Sequence, residues 1–317
     1  MKNLLPGIAL LLLSKISFCQ QAYWQQQVNY DISVTLDTAA NTLDGSVKMK
    51  YYNNSPNTLH FIWIHLWPNA YKNDRTAFSE QQLQIGNTGF YFSNSEERGY
   101  INRLNFTVDN ISAATTDHPQ HQDIVKLLLP HPLIPNGKIN IQTAFHVKLP
   151  KQFSRSGVVE NSYQITQWYP KPAVYDKKGW HEMPYLELGE FYSEFGNFTV
   201  DISAPEDLII AASGEKTRET ISNNIKTTTY TLNNTHDFAW FASKDFLVQQ
   251  DTLQLPSKLI NVFAYYYKKD EKIWQNSIRY IKRAILSKSG WLGEYPYNNV
   301  SVVAKKGSSD GGMEYPT

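Results

Sequence analysis

The chain is nearly without cysteine: Cys19 is the only one in 317 residues, so no disulfide can cross-link its fold. It also lacks an apolar run long enough to span a bilayer, which takes about 20 residues, since the longest such run covers only 4–13. Charge of one sign is missing too. Thirty Lys and Arg against twenty-nine Asp and Glu leave a formal charge of +1 with no basic cluster, which argues against a nucleic-acid partner. Catalytic signatures are equally scarce. There is no G-x-S-x-G elbow, no Gly-rich phosphate loop after a strand, and no H-E-x-x-H helix motif for a zinc hydrolase. His181-Glu182-Met183-Pro184-Tyr185 begins like the last of these, but Tyr185 stands at the second His position and Pro184 would break the helix.

What is present is a folded composition, 41% hydrophobic and 14% aromatic, at a length that suits two domains of about 100–200 residues each. Lys2, the apolar run and then Ser17-Phe18-Cys19 have the layout of a secretory signal peptide, with cleavage expected after Cys19. The alternatives are an uncleaved anchor and a lipid on Cys19, the latter opposed by bulky Phe18 where such processing wants a small residue. Residues 1–19 are thus read as a leader, and the protein as exported, to the periplasm, the cell surface or the medium.

Alternation at Val28, Tyr30, Ile32, Val34 and Leu36, answered by Leu43, Gly45, Val47, Met49 and Tyr51, predicts a long hairpin. Further strands are expected at 59–66, 103–108, 124–129, 139–147, 198–204, 208–212, 226–232 and 238–243, with no helix between them. Short strands divided by Pro, Gly and Asn clusters indicate a mainly β, antiparallel sandwich or saddle over 20–255. After Pro256 the pattern changes. One strand at 259–266 precedes an amphipathic helix with Asp270 as N-cap, Trp274, Ile278, Ile281 and Ile285 on one face, and its end near Gly290. A strand at 300–304, a Gly/Ser/Asp loop and a strand from Gly312 would then open a second domain, 256–317.

Among the histidines, His118 and His121 lie in a polar loop and are given no role, while His60 and His65 fall on opposite faces of a strand. Gly311-Gly312-Met313-Glu314 has a mechanism. Two glycines let another backbone approach, an edge strand can pair with an extended peptide, and a carboxylate at its end can bind an α-ammonium group. A plain turn into a structural strand would use the same residues.

Together with Phe198-Thr199-Val200-Asp201-Ile202-Ser203-Ala204-Pro205, Asp237-Phe238-Ala239-Trp240-Phe241-Ala242-Ser243 and Glu294-Tyr295-Pro296-Tyr297, this motif resembles the aminopeptidase N family of zinc metallopeptidases. Gln167-Trp168-Tyr169-Pro170 and Leu66-Trp67-Pro68-Asn69-Ala70-Tyr71 are similar to a bacterial branch of it. The resemblance runs from Tyr23 to Thr317. It implies an N-terminal β domain followed by the start of an α+β thermolysin-like catalytic domain. Glu314 would bind the substrate amine, with Gly311, Gly312 and Met313 lining the cleft and Gln164 or Gln167 assisting. It further implies a peptide substrate with a free N-terminus, and zinc whose ligands lie beyond Thr317, so that this segment has no catalytic or metal residue of its own and needs the remaining catalytic portion of its chain. Tyr315 departs from the family, which most often has Asn there. Two rivals stand beside this reading: a non-catalytic peptide-binding or scaffold module, and a carbohydrate-binding β-sandwich using exposed aromatics.

Overall fold

The structure is a computed structural model in which residues 23–307 and 311–317 are described; the expected leader, 1–19, lies outside the described residues. The main strands are β1 (Gln27–Asp37), β2 (Thr42–Tyr52), β3 (Leu59–His65), β4 (Ile124–Leu133), β5 (Lys138–Lys148), β6 (Ser162–Ile165), β7 (Gly196–Pro205), β8 (Ile209–Ala212), β9 (Glu215–Ser222), β10 (Ile225–Thr235) and β11 (Trp240–Ser243). They are followed by β12 (Phe246–Gln254), β13 (Leu259–Tyr267) and β14 (Asn299–Val303). The helices are α1 (Ala77–Gln84), α2 (Glu271–Trp274) and α3 (Ser277–Leu292).

One large sheet runs in the order β9, β10, β7, β1, β2, β5 and then short edge pieces. Two four-stranded sheets, one built on β3 and β4 and the other on β6, β11 and β8, form the facing layer. The reason is legible in the side chains. Every second residue of β1, from Val28 to Leu36, is buried, and these meet Ile62 and Ile64 of β3, Ile165 of β6 and Trp240 of β11 in one core. The predicted hairpin is present, with Val28 opposite Tyr51 and Ile32 opposite Val47.

The fold is mainly β with antiparallel sheets, as read from the sequence, but among the described strands two pairings are parallel: β1 with β7, and β13 with β14. The first brings residues 168 apart in sequence side by side. Gly196 makes this approach possible, because a Cβ there would sit 1.7 Å from the Val28 carbonyl oxygen, where β7 bulges between Gly196 and Phe198.

Several local expectations are corrected. Of the strand expected at 103–108 only Thr107–Val108 is in a sheet, preceded by Tyr100–Asn102, because Arg103 takes a left-handed φ of 57° that breaks the pairing. The helix expected from Asp270 is two helices, interrupted at Gln275 and Asn276, and α3 ends at Gly293 with φ 104° rather than at Gly290. Asp270 flanks α2 without a side-chain cap. A helix also occurs where none was expected, α1, capped by Thr76 accepting from the Ser79 amide. From Gly312 onward the chain forms no ladder strand; among the described residues its backbone makes one bond, from Ser301 N to Thr317 O at 2.9 Å.

Candidate substrate groove

The sheet β12–β13–β14 carries α3 on one face. Ile281 and Ile285 of the helix bury against Ile260, Val262 and Ala264 of β13, which the helical spacing of four predicts. The outer end of β14 leads through Ala304 to the 311–317 segment. Thr317 fastens that segment to the β domain through a hydroxyl that accepts from Gly214 N at 2.7 Å. Asn299 donates its side-chain amide to the Gly214 carbonyl at 2.9 Å, so the two regions share one seam.

Between this segment, α3 and the β8–β11 end of the sandwich lies an open groove of about 1090 Å³. Gly312, Met313 and Glu314 line it together with His236, Phe241 and Tyr280. Glu314 is exposed and Met313 half-buried. Gly311, just outside the lining, has φ 106°, a left-handed conformation suited to glycine, and a Cβ there would meet open space. Tyr315 also lines the groove, while its hydroxyl is buried in the protein. Burial pushes its phenol well above the usual range, beside Thr166, Tyr185 and Arg155, and its ring stands 6.5 Å from that of Phe241.

The two glutamines are placed differently from the motif and from each other. Gln164, buried in β6, donates to the Lys306 carbonyl at 3.1 Å and so ties the β domain to the segment after β14 that leads toward the motif. Lys306 reinforces this seam with Asp245 at 3.1 Å, and Ser162 hydrogen-bonds the Tyr267 hydroxyl at 2.6 Å. Gln167 belongs to a wholly buried network. Its Oε1 accepts from Lys171 Nζ at 2.8 Å and its Nε2 donates to Asp237 Oδ2. Lys171 Nζ also contacts Asp237 Oδ1 at 2.8 Å, an oxygen that accepts from the Tyr169 hydroxyl as well. Burial pushes the Lys171 ammonium below its usual range even against the Asp237 charge. It also works to raise the Asp237 carboxyl, but Lys171 overrides it and holds Asp237 low. Neither glutamine lines the groove.

The histidines take structural places. His65 is buried, stacked 4.4 Å from Trp67, and burial lowers its pKa to about 3, which keeps it neutral while Nε2 accepts from Met183 N. His60 is exposed on the other face. His118 and His121 stack at 4.9 Å, with His118 also against Trp63 at 5.0 Å. His181 pairs with Asp176 at 2.8 Å in a hairpin, not a helix. Among the described residues no group of three His, Cys, Asp or Glu is arranged to hold a metal, so a zinc ion does not fit the residues described here. His236 and Tyr280 line the groove without having been singled out in the sequence; helical phasing from the buried face puts Tyr280 beside it, whereas His236 gives no local signal.

No family model matches the chain, and no curated protein does. Solved structures do match. A point mutant of the M1 zinc metallopeptidase from Deinococcus radiodurans aligns with a TM-score of 0.56 and 15% identity, over 88% of this chain and 56% of that one. The mutant bound to a Tyr-Ser-Ala substrate gives 0.55 and 16% over the same shares, and the M1 zinc metallopeptidase from that organism gives 0.51 and 15% over 88% and 55%. At such identities the likeness is one of fold. The chain spans a little over half the length of these neighbours.

Proposed function

We propose that this chain is the substrate-recognition part of an exported bacterial zinc aminopeptidase, with a β domain to about residue 255 and the opening of the catalytic domain from 256 to 317. The observation that carries the reading is the position of Gly312, Met313 and Glu314 in the wall of the groove, on a fold whose neighbours are M1 zinc metallopeptidases. One of those neighbours is bound to a tripeptide substrate.

In this reading the backbone at Gly312 and Met313 pairs with the first residues of a peptide, and Gly311 and Gly312 place no side chain in its way. Exposed Glu314 receives the α-ammonium group, whose reference pKa is about 7.7–8.0, and so fixes the register at the first peptide bond. Tyr315 and Thr317 hold the segment to the β domain, and Gln164 holds Lys306 in the stretch that precedes it. Zinc in such an enzyme would supply an activated water, and its ligands would come from residues other than those described here.

The test uses the complete gene product. Aminoacyl anilides should be cleaved and their N-acetylated forms left intact. Glu314→Gln should lower kcat/KM about 10- to 100-fold, the worth of one hydrogen-bonded charge at roughly 1.5–3 kcal/mol. Equal cleavage of acetylated substrates would sink the proposal. A reading frame continuing past Thr317 without an H-E-x-x-H motif would leave a peptide-binding module in place of an enzyme.

A further inference from the structure

The buried Lys171, Gln167 and Asp237 form a constellation that peptide recognition leaves unused. Each is at most 2% exposed. Trp67 and Tyr169 enclose the amine, with ring centroids 5.1 and 5.0 Å from Nζ. The amine touches the amide carbonyl oxygen at 2.8 Å, and the carboxylate bridges the amine through Oδ1 and the amide nitrogen through Oδ2.

From this arrangement we propose that Lys171 and Gln167 join in an isopeptide bond formed by the folded protein itself, with Asp237 as the proton carrier. A primary amide in water is inert toward lysine because the amine is protonated and reaches the carbonyl only by chance encounter. Here both obstacles are lowered. Burial disfavours the ammonium form, and fixed contact replaces encounter. Asp237 takes one proton from Nζ, which leaves a neutral amine and a neutral acid. The Nζ lone pair then adds to Cδ of Gln167. The Cδ–Nε2 bond breaks as Asp237 delivers its proton to Nε2, which departs as ammonia, and the remaining extra proton of Nζ passes to Asp237. The products are a secondary amide between the two side chains, one ammonia and a neutral Asp237; charge is conserved and no oxidant, reductant or further reactant is involved. A neutral acid also suits this site once the lysine charge is gone, because an unpaired carboxylate would be costly there.

Mass spectrometry of the purified chain tests this without reference to any peptidase activity. Trypsin cuts after Arg155 and Lys177 but not at Lys171, which precedes Pro172. The resulting 156–177 peptide should be lighter than its sequence by one ammonia and give no backbone fragments between Gln167 and Lys171. That localisation separates the bond from cyclisation of an N-terminal glutamine, which loses the same mass elsewhere. Lys171→Arg keeps the charge pair but supplies no primary amine, and should return the peptide to full mass. Full mass in the wild-type peptide from folded protein would overturn the proposal, as would the same loss in chain kept in denaturant from synthesis onward, where no pocket exists.

Discussion

The β domain and the region that follows it solve the same packing problem to different extents. In the first, three sheets close on one core and its large aromatics, Trp168, Tyr169 and Trp240, are all but inaccessible. In the second, β13 and α3 share a small cluster, while Ile273, Trp291 and Leu292 stand 79%, 80% and 84% exposed. The second region therefore owes much of its order to the seam, where Gly214, Asp245 and Ser162 of the β domain hold Asn299, Lys306 and Tyr267. A sandwich supplies its own partner layer; a lone sheet with one helix must borrow one.

Core truncations should separate the two most strongly. Phe198, stacked 4.5 Å from Tyr30, is 1% exposed, and Phe198→Ala should cost about 3–5 kcal/mol. Ile285 lies at the rim of its cluster at 9%, and Ile285→Ala should cost about 2 kcal/mol or less. Urea unfolding followed by fluorescence would measure both, and equal costs would refute the contrast.

A smaller effect, confined to the β domain, is its response to pH. Burial pushes the Glu194 carboxyl up to about 8, against a backbone hydrogen bond from Tyr175. Its folded pKa lies above the unfolded value, so its contribution is fully present below about 4.5 and is lost as pH rises through about 8. Glu194→Gln should remove this part of the slope, making the variant the more stable of the two at pH 9. A wild-type and variant difference that stays constant from pH 5 to 9 would contradict the assignment.

The smallest change in stability is expected at Trp291. Trp291→Ser should alter unfolding by no more than about 0.5 kcal/mol, yet reduce self-association in sedimentation, because an exposed apolar helix end attracts further copies. A loss of several kcal/mol would show that this face of α3 is packed after all.

The same contrast governs what could be read in advance. Strands with one buried face announce themselves by alternation, so β1, β2, β5 and β7 were legible almost residue for residue. The strand β9 was not, because it is exposed on both faces and carries no alternation at all. The short strands from Gly157 to His181 escaped notice for the opposite reason: many of their residues are buried on both sides, as in Ser162–Ile165. At the candidate site, Gly312, Met313 and Glu314 were legible as a motif. The partition of the two glutamines was not, since the partners that occupy Gln167 and Gln164, Asp237 and Lys306, are 70 and 142 residues away. Nothing local in a sequence reports such distances.

The parallel pairing of β1 with β7 has a consequence for the ribosome. The first strand leaves the exit tunnel long before its neighbour exists, and at about 5–20 residues per second the interval is roughly ten to thirty seconds. Throughout it, one edge of β1 stays unpaired, so the nascent sandwich cannot close however fast its hairpins form. Whatever moves or escorts this polypeptide during that interval meets an unfinished sheet.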